Sequence, residues 1–138
     1  MPTEDEIAVR AAVGQWFAVL NAMLNGDAEP FDALYSHNDD VTYMGAEGTY
    51  QIGWPATRAD WKDQAAKSSG GSVEGTDIHV VVRGDMATAT HNTIGNVRDT
   101  NGDMARTELR ETSVFRKEEG IWRMIGHHAD RLADWDKA

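Results

Sequence analysis

Residues 104–130 read MARTELRETSVFRKEEGIWRMIGHHAD, and this stretch decides the fold. Two runs long enough for strands, 104–116 and 121–130, flank Glu119-Gly120, a pair suited to a tight reversal because glycine takes positive φ without penalty. Two further runs upstream, 73–83 and 86–98, are joined through Gly84-Asp85 and lead into Asn101-Gly102. The Asn-Gly pair predicts a two-residue hairpin loop, in which both central positions need positive φ. Four long strands in succession predict an antiparallel sheet.

The first half of the chain is helical in pattern. Thr3 to Glu6 has the form of a capping box, and Val9, Val13, Trp16, Phe17, Leu20 and Leu24 then recur at helical spacing until Asn25-Gly26. A short helix is predicted over 30–35, strands over 41–46 and 48–52, and a helix from after Gly53-Trp54-Pro55 to about Lys67. Trp54, which precedes a proline, is expected outside that helix. Ser68-Ser69-Gly70-Gly71-Ser72 is too short a connection to separate two domains. Residues 1–138 are therefore read as one α+β domain, its N-terminal helices packed on one face of a curved antiparallel sheet.

The 138 residues include 13 Lys and Arg against 23 Asp and Glu, a net charge of −10, and no cysteine. A chain of this length buries about two-thirds of its surface and needs no staples. The missing cysteines exclude a disulfide scaffold, a cysteine zinc site and thiol catalysis. The acidic balance argues against nucleic acid and anionic membrane surfaces as partners. The N-terminus lacks the basic start and apolar stretch of a secretory signal, and no window reaches 18 consecutive apolar residues. A cytoplasmic protein is expected. With no glycine-rich phosphate loop and no haem-attachment motif, no cofactor is expected either.

Strand alternation assigns faces. Leu109, Glu111, Ser113 and Phe115 share the helix-facing side, which places a carboxylate among apolar residues. On the last strand Trp122, Met124, Gly126, His128 and Asp130 share a face. A two-residue loop at Asn101-Gly102 sets Asn92 opposite Glu111. A following hairpin that pairs Phe115 with Trp122 makes His128 the diagonal neighbour of Glu111. Asn92, Glu111 and His128 thus form an expected polar cluster, with Asp77 at its edge. A carboxylate raised by burial and countered by an imidazole is an acid/base couple, and the same trio also serves as a purely structural network. Adjacent His127 and His128 point to opposite faces of a strand, so no metal site is expected. The outer face is expected to hold His91, Thr93, Arg110, Thr112, Val114, Arg123, Ile125 and His127, a mixed composition that suits a dimer interface as well as a solvated face.

The stretches NAMLNGDAEPFDALYSHNDDVTYMGAEGTYQIG and RETSVFRKEEGIWRMIGHHAD resemble the nuclear transport factor 2-like superfamily, of cystatin-like α+β fold, and within it the SnoaL-like and ketosteroid-isomerase-like branch. The resemblance implies a cone-shaped cavity between sheet and helices that holds a small molecule, and a homodimer formed through the other sheet face. It also allows a test by position. The general-base Asp of the ketosteroid isomerases aligns with Gly45, their oxyanion-hole Asp with Ser113 and their first-helix Tyr with Trp16. All three differ, which argues against steroid isomerisation by that route. Carbonic anhydrases of this fold carry His-His-His-Ser-Ser on the last strand, where this chain has Gly126-His127-His128-Ala129-Asp130.

Three roles fit the sequence. The first is an enzyme doing isomerase, cyclase, or hydrolase and hydratase chemistry on a small, mainly apolar substrate. Glu111 and His128 would be acid and base, Asn92 would orient Glu111, and Trp16, Tyr43, Trp54 and Met124 would contact substrate. The second is a metabolite-binding protein without chemistry. The third is an assembly module resembling the kinase association domains of the same superfamily.

Overall fold

The structure is a computed structural model and describes residues 1–132. Helix α1 spans Glu4–Leu24, α2 Phe31–Leu34 and α3 Trp54–Lys67, and the strands are β1 Thr42–Met44, β2 Tyr50–Ile52, β3 Gly71–Arg83, β4 Met86–Arg98, β5 Met104–Glu118 and β6 Ile121–Arg131. At the start of α1 the Thr3 hydroxyl accepts the Glu6 amide at 3.1 Å, as the capping pattern predicts. By length and composition α1 could cross a membrane, yet its stripe Val9, Val13, Trp16, Leu20 and Leu24 is buried against the rest of the fold. Asn21 ties it to the sheet: its side chain accepts from Val73 N at 2.8 Å and donates to Val73 O at 3.0 Å, in the manner of a neighbouring strand.

Trp54 departs from expectation by being the first residue of α3. Gly53, at φ 90°, makes the reversal itself, so the chain is already helical at Trp54, and Pro55 falls in the first turn where a missing N–H costs nothing.

The sheet order is β2-β1-β6-β5-β4-β3. The pair β1–β6 is parallel and the other pairs are antiparallel, so the sheet is mixed where the sequence predicted an antiparallel one. The reason is that β1 enters beside the last strand through α2 rather than through a hairpin. At Gly95 there is no room for a side chain between β4 and β3: a Cβ there would lie 2.0 Å from the Ser72 carbonyl oxygen. Trp16, Phe31, Leu34, Tyr35, Val41, Phe115 and Met124 fill the space between the helices and the sheet, each below 2% exposed.

Two backbone details control which side chains face that core. The β4–β5 loop has three residues, not two: Asp99 pairs with Asp103, Gly102 has φ 85°, and the Asp99 carboxylate accepts the amides of Asn101 and Asp103. This is the three-residue hairpin in which a turn is closed by a left-handed glycine. In β6, Phe115 pairs with Met124 but Val114 pairs with Gly126, so Ile125 is an extra residue, a β-bulge. By contrast, Gly84-Asp85 and Glu119-Gly120 are two-residue loops, the latter with φ 51° and 83°; the tight turn at Glu119-Gly120 pairs Trp122 with Lys117, which corrects the expected pairing of Phe115 with Trp122.

Candidate functional site

Glu111 faces inward and is 4% exposed, as its place among Leu109, Ser113 and Phe115 predicts. Its surroundings differ from the expected ones. With a three-residue loop the pairing moves by one, so His91 lies opposite Glu111, and Asn92 lies opposite Arg110 on the outer face. A one-residue slip exchanges every side chain between faces. The bulge at Ile125 does the same to β6: Trp122 and Met124 point inward as expected, but beyond the bulge His127 and Ala129 are buried, while His128 and Asp130 are exposed. The pairing of Glu111 with His128 and Asn92 is thus corrected to Glu111 with His127, His91 and Thr93. The latter three were expected on the outer face and are 3%, 5% and 0% exposed.

The contacts divide the carboxylate into two unequal halves. Oε1 accepts from the Thr93 hydroxyl at 2.5 Å and from Trp16 Nε1 at 3.2 Å, and lies 3.7 Å from His91 Nδ1. Oε2 lies 3.5 Å from His127 Nε2 and has no closer polar partner among the described residues. His127 is in turn 2.9 Å from the Ser113 hydroxyl through Nδ1, and its ring lies 4.1 Å from that of Trp16. Thr93 has one hydroxyl hydrogen and spends it on Glu111, so the 3.3 Å contact of Thr93 Oγ1 with His91 Nδ1 requires an N–H on His91. That leaves His91 Nε2 as an acceptor.

Burial alone would push the Glu111 carboxyl up, but the His127 imidazole, the Thr93 hydroxyl and His91 reverse this and hold it below the ordinary glutamate value. Glu111 is therefore a buried carboxylate anion at neutral pH. Burial drives His91 the other way, below the usual histidine value despite the attraction of Glu111.

An aromatic shell surrounds this cluster. Trp61 stacks on Phe31 at 4.2 Å and packs on Tyr43 at 4.3 Å, and it meets Trp16 edge-on at 5.8 Å. Of the expected substrate contacts, Trp16, Tyr43 and Met124 lie inside, and Trp54 sits at the rim, 8% exposed, stacked on exposed His37 at 4.6 Å. The Tyr43 hydroxyl accepts from Gln64 Nε2 at 2.8 Å, and burial pushes its pKa up to about 12. Sequence reasoning passed over Tyr35, whose single apolar-helix context carried no sign of a polar role. Among the described residues His91 Nε2 and His127 Nε2 are buried without a hydrogen-bond partner, and the Trp61 indole is the neighbour of the buried Tyr35 hydroxyl.

Asn92, His128 and Asp77 do come together, but on the outer face. They border an open depression of about 390 Å³ with Arg110 and Asp130. There Asn92 Nδ2 donates to Asp77 at 3.2 Å, and Arg110 holds Asp130 in a two-pronged pair at 2.7 and 2.9 Å.

Comparison with known proteins bears on the fold and family. None of the curated proteins matches the chain. Among solved structures, a candidate dehydratase of the NTF2-like family from Streptomyces avermitilis superposes with a TM-score of 0.81 at 22% identity, covering 96% of this chain and 99% of its own. A protein with a cystatin-like fold from Caulobacter vibrioides gives 0.79 at 18% identity over 98% and 94%. The S. rosetta CaMKII hub gives 0.72 at 21% identity over 96% and 100%. These likenesses establish the nuclear transport factor 2-like fold that the sequence stretches suggest. The SnoaL-like domain family model matches residues 9–130, from within α1 to near the end of β6, and the chain belongs to that family.

Proposed function

We propose that this chain is an enzyme that moves a proton on a small, mainly apolar molecule held between the helices and the sheet, with Glu111 as the base. One observation carries the reading: Glu111 is an ionised carboxylate 4% exposed, with Oε1 fixed by two donors and, among the described residues, no polar partner of Oε2 closer than His127 Nε2 at 3.5 Å. Its neighbours keep this carboxylate ionised and hold it in one orientation, which readies it to accept a proton from a bound C–H or O–H. His127, with Ser113 behind it, is placed to return the proton or to steady the carboxylate once it is protonated. The reaction class is that of an isomerase, a cyclase or a dehydratase. Fold does not choose among these.

Glu111→Gln tests the reading. The variant keeps the shape and both donor contacts at Oε1 and cannot take up a proton. Turnover of any substrate found by screening is expected to fall at least about a hundredfold, the usual worth of general-base catalysis. Full turnover by Glu111→Gln would refute the assignment.

A second reading, assembly through the outer sheet face, is favoured by the likeness to the S. rosetta hub and by the concave patch around Arg110 and Asp130. Sedimentation velocity of the wild type and of Arg110→Ala distinguishes it. A dimer that dissociates on substitution supports assembly there, and a monomer at all concentrations removes it.

A further inference from the structure

We infer that the second half of β3, residues 78–83, pairs edge to edge with the same segment of a second copy of this chain, in an antiparallel ladder about Val80 that joins two sheets into one. The inference depends neither on the role of Glu111 nor on assembly through the outer sheet face.

β3 ends the sheet order, and its free edge is treated differently along its length. Over the first half α1 covers it. The Asn21 side chain accepts from Val73 N and donates to Val73 O, and Asn25 Nδ2 donates to Gly71 O at 3.3 Å. Phe17 fills the space above Gly75, where a Cβ would lie 2.2 Å from its ring. From there α1 slants across the sheet, and its first turn lies over the β5–β6 hairpin, where Asp5 accepts from Lys117 Nζ and Trp122 Nε1 at 3.1 Å. Beyond Asp77, among the described residues, no side chain of another element bonds the β3 backbone as Asn21 bonds Val73.

The ladder fixes which backbone groups face out. Gly84-Asp85 is a two-residue loop, so Arg83 and Met86 exchange hydrogen bonds, and alternation turns the N–H and C=O of Val82, Val80 and Ile78 away from β4. The contact of Arg83 Nη1 with Val82 O at 2.8 Å fits an outward carbonyl. Such a row of donors and acceptors is a template for another strand, and natural sheets blunt it with brevity, proline, lysine or a bulge. At the opposite edge β2 is only three residues long. In β3 the bulge lies before the free segment, between Thr76 and His79, with Asp77 at φ 57°. Ile78-His79-Val80-Val81-Val82 then carries no proline, lysine or carboxylate, and its β-branched residues favour an extended chain. Ile78 is 40% exposed there.

Charge selects the occupant. Antiparallel pairing about Val80 sets Ile78 against the second copy's Val82, and Asp77 against the second copy's Arg83. Both charges lie on the outer face. Asp77 accepts from outward Asn92, and Arg83 pairs with exposed Met86 on a strand whose Ala87 and Ala89 point inward. A carboxylate therefore meets a guanidinium at each end of the ladder, and two-fold symmetry satisfies both copies alike. Parallel pairing would set Asp77 beside Asp77 and Arg83 beside Arg83. A slip of two residues loses both ion pairs.

The test is amide exchange of the isotope-labelled full chain, followed by NMR at millimolar and micromolar concentration, with sedimentation velocity over the same range. The Val80 and Val82 amides should exchange about tenfold more slowly at the higher concentration, because only a second copy supplies their acceptors. Arg83→Asp puts like charges at both ends and should abolish the slowing and the dimer together, while Arg83→Lys should keep both. Arg83 is exposed, so thermal melting of the dilute variants should match wild type. A chain that is monomeric at every concentration overturns the inference. So does an Arg83→Asp variant that keeps the slowing. A dimer whose Val80 and Val82 amides exchange equally fast at both concentrations also overturns it, and assigns the contact to the outer sheet face instead.

Discussion

Replacing Thr93 with Val tests the charge on Glu111 directly. Valine keeps the shape of threonine and removes the hydroxyl that donates to Glu111 Oε1 at 2.5 Å. A hydrogen bond to a charged group is worth about 1.5–3 kcal/mol, and the His91 Nδ1–H, 3.3 Å from the same oxygen, loses its acceptor for about 1 kcal/mol more. The sum is about 3 kcal/mol, or about 10 °C in melting temperature for a domain of this size. In a Glu111→Gln background the lost bond is neutral to neutral and the cost falls to about 2 kcal/mol. The double-mutant cycle by urea denaturation at pH 7 should therefore return a coupling of about 1 kcal/mol between Thr93 and the charge at position 111. Equal costs of Thr93→Val in the two backgrounds would mean that Glu111 is not an anion bonded to Thr93, and the case for a buried base would go with it.

Two further expectations are independent of catalysis. Gly95→Ala would drive a Cβ to within 2.0 Å of the Ser72 carbonyl oxygen, a backbone atom that cannot turn aside, so it should cost about 2–3 kcal/mol in urea denaturation; a neutral result would mean that β3 does not lie that close to β4 at Gly95. Stability should fall with falling pH in two stages, because both His91 and Glu111 have folded values below their ordinary 6.5 and 4.5. Below about pH 6.5 the unfolded chain takes up a proton that buried His91 refuses, and below about pH 4.5 protonation of Glu111 in the unfolded state adds to the loss. A urea series from pH 8 to pH 4 in which stability rises through this range would contradict the buried placement of both groups.

Much of this architecture was legible because it depends on local chemistry. Thr3 caps α1, the apolar stripe from Val9 to Leu24 is the face that α1 buries, and Glu119-Gly120 turns as its residues demand. Glu111 was legible as an inward carboxylate because Leu109, Ser113 and Phe115 surround it within one strand. The parallel pairing of β1 with β6 was not, since no short-range signal fixes which edge a three-residue strand joins. The aromatic shell was half legible: Trp16 and Tyr43 follow from periodicity, whereas the meeting of Tyr35 with Trp61 is a property of packing among residues far apart in the chain.

The partners of Glu111 were lost to two single residues, and one of them could have been recovered. Counting forward from Trp122 by twos puts His128 and Asp130 inside, yet an interior Asp130 would be a buried carboxylate with no partner, the costliest arrangement available. Counting backward from a solvated Asp130 puts His128 outside and His127 inside. The two counts disagree by one, and a disagreement of one along a strand is what a bulge between its ends produces. Arg110 supplies the confirming half, because it shares the outer face of β5 by simple alternation and pairs with Asp130 at 2.7 Å across the sheet. The extra residue at Ile125 was therefore implied by charge, and with it the exchange of His128 for His127 beside Glu111. The β4–β5 loop offered a weaker clue of the same kind. Asp99 can bond the amides of Asn101 and Asp103 only if the turn holds three residues, and that one added residue brings His91 and Thr93 to the carboxylate.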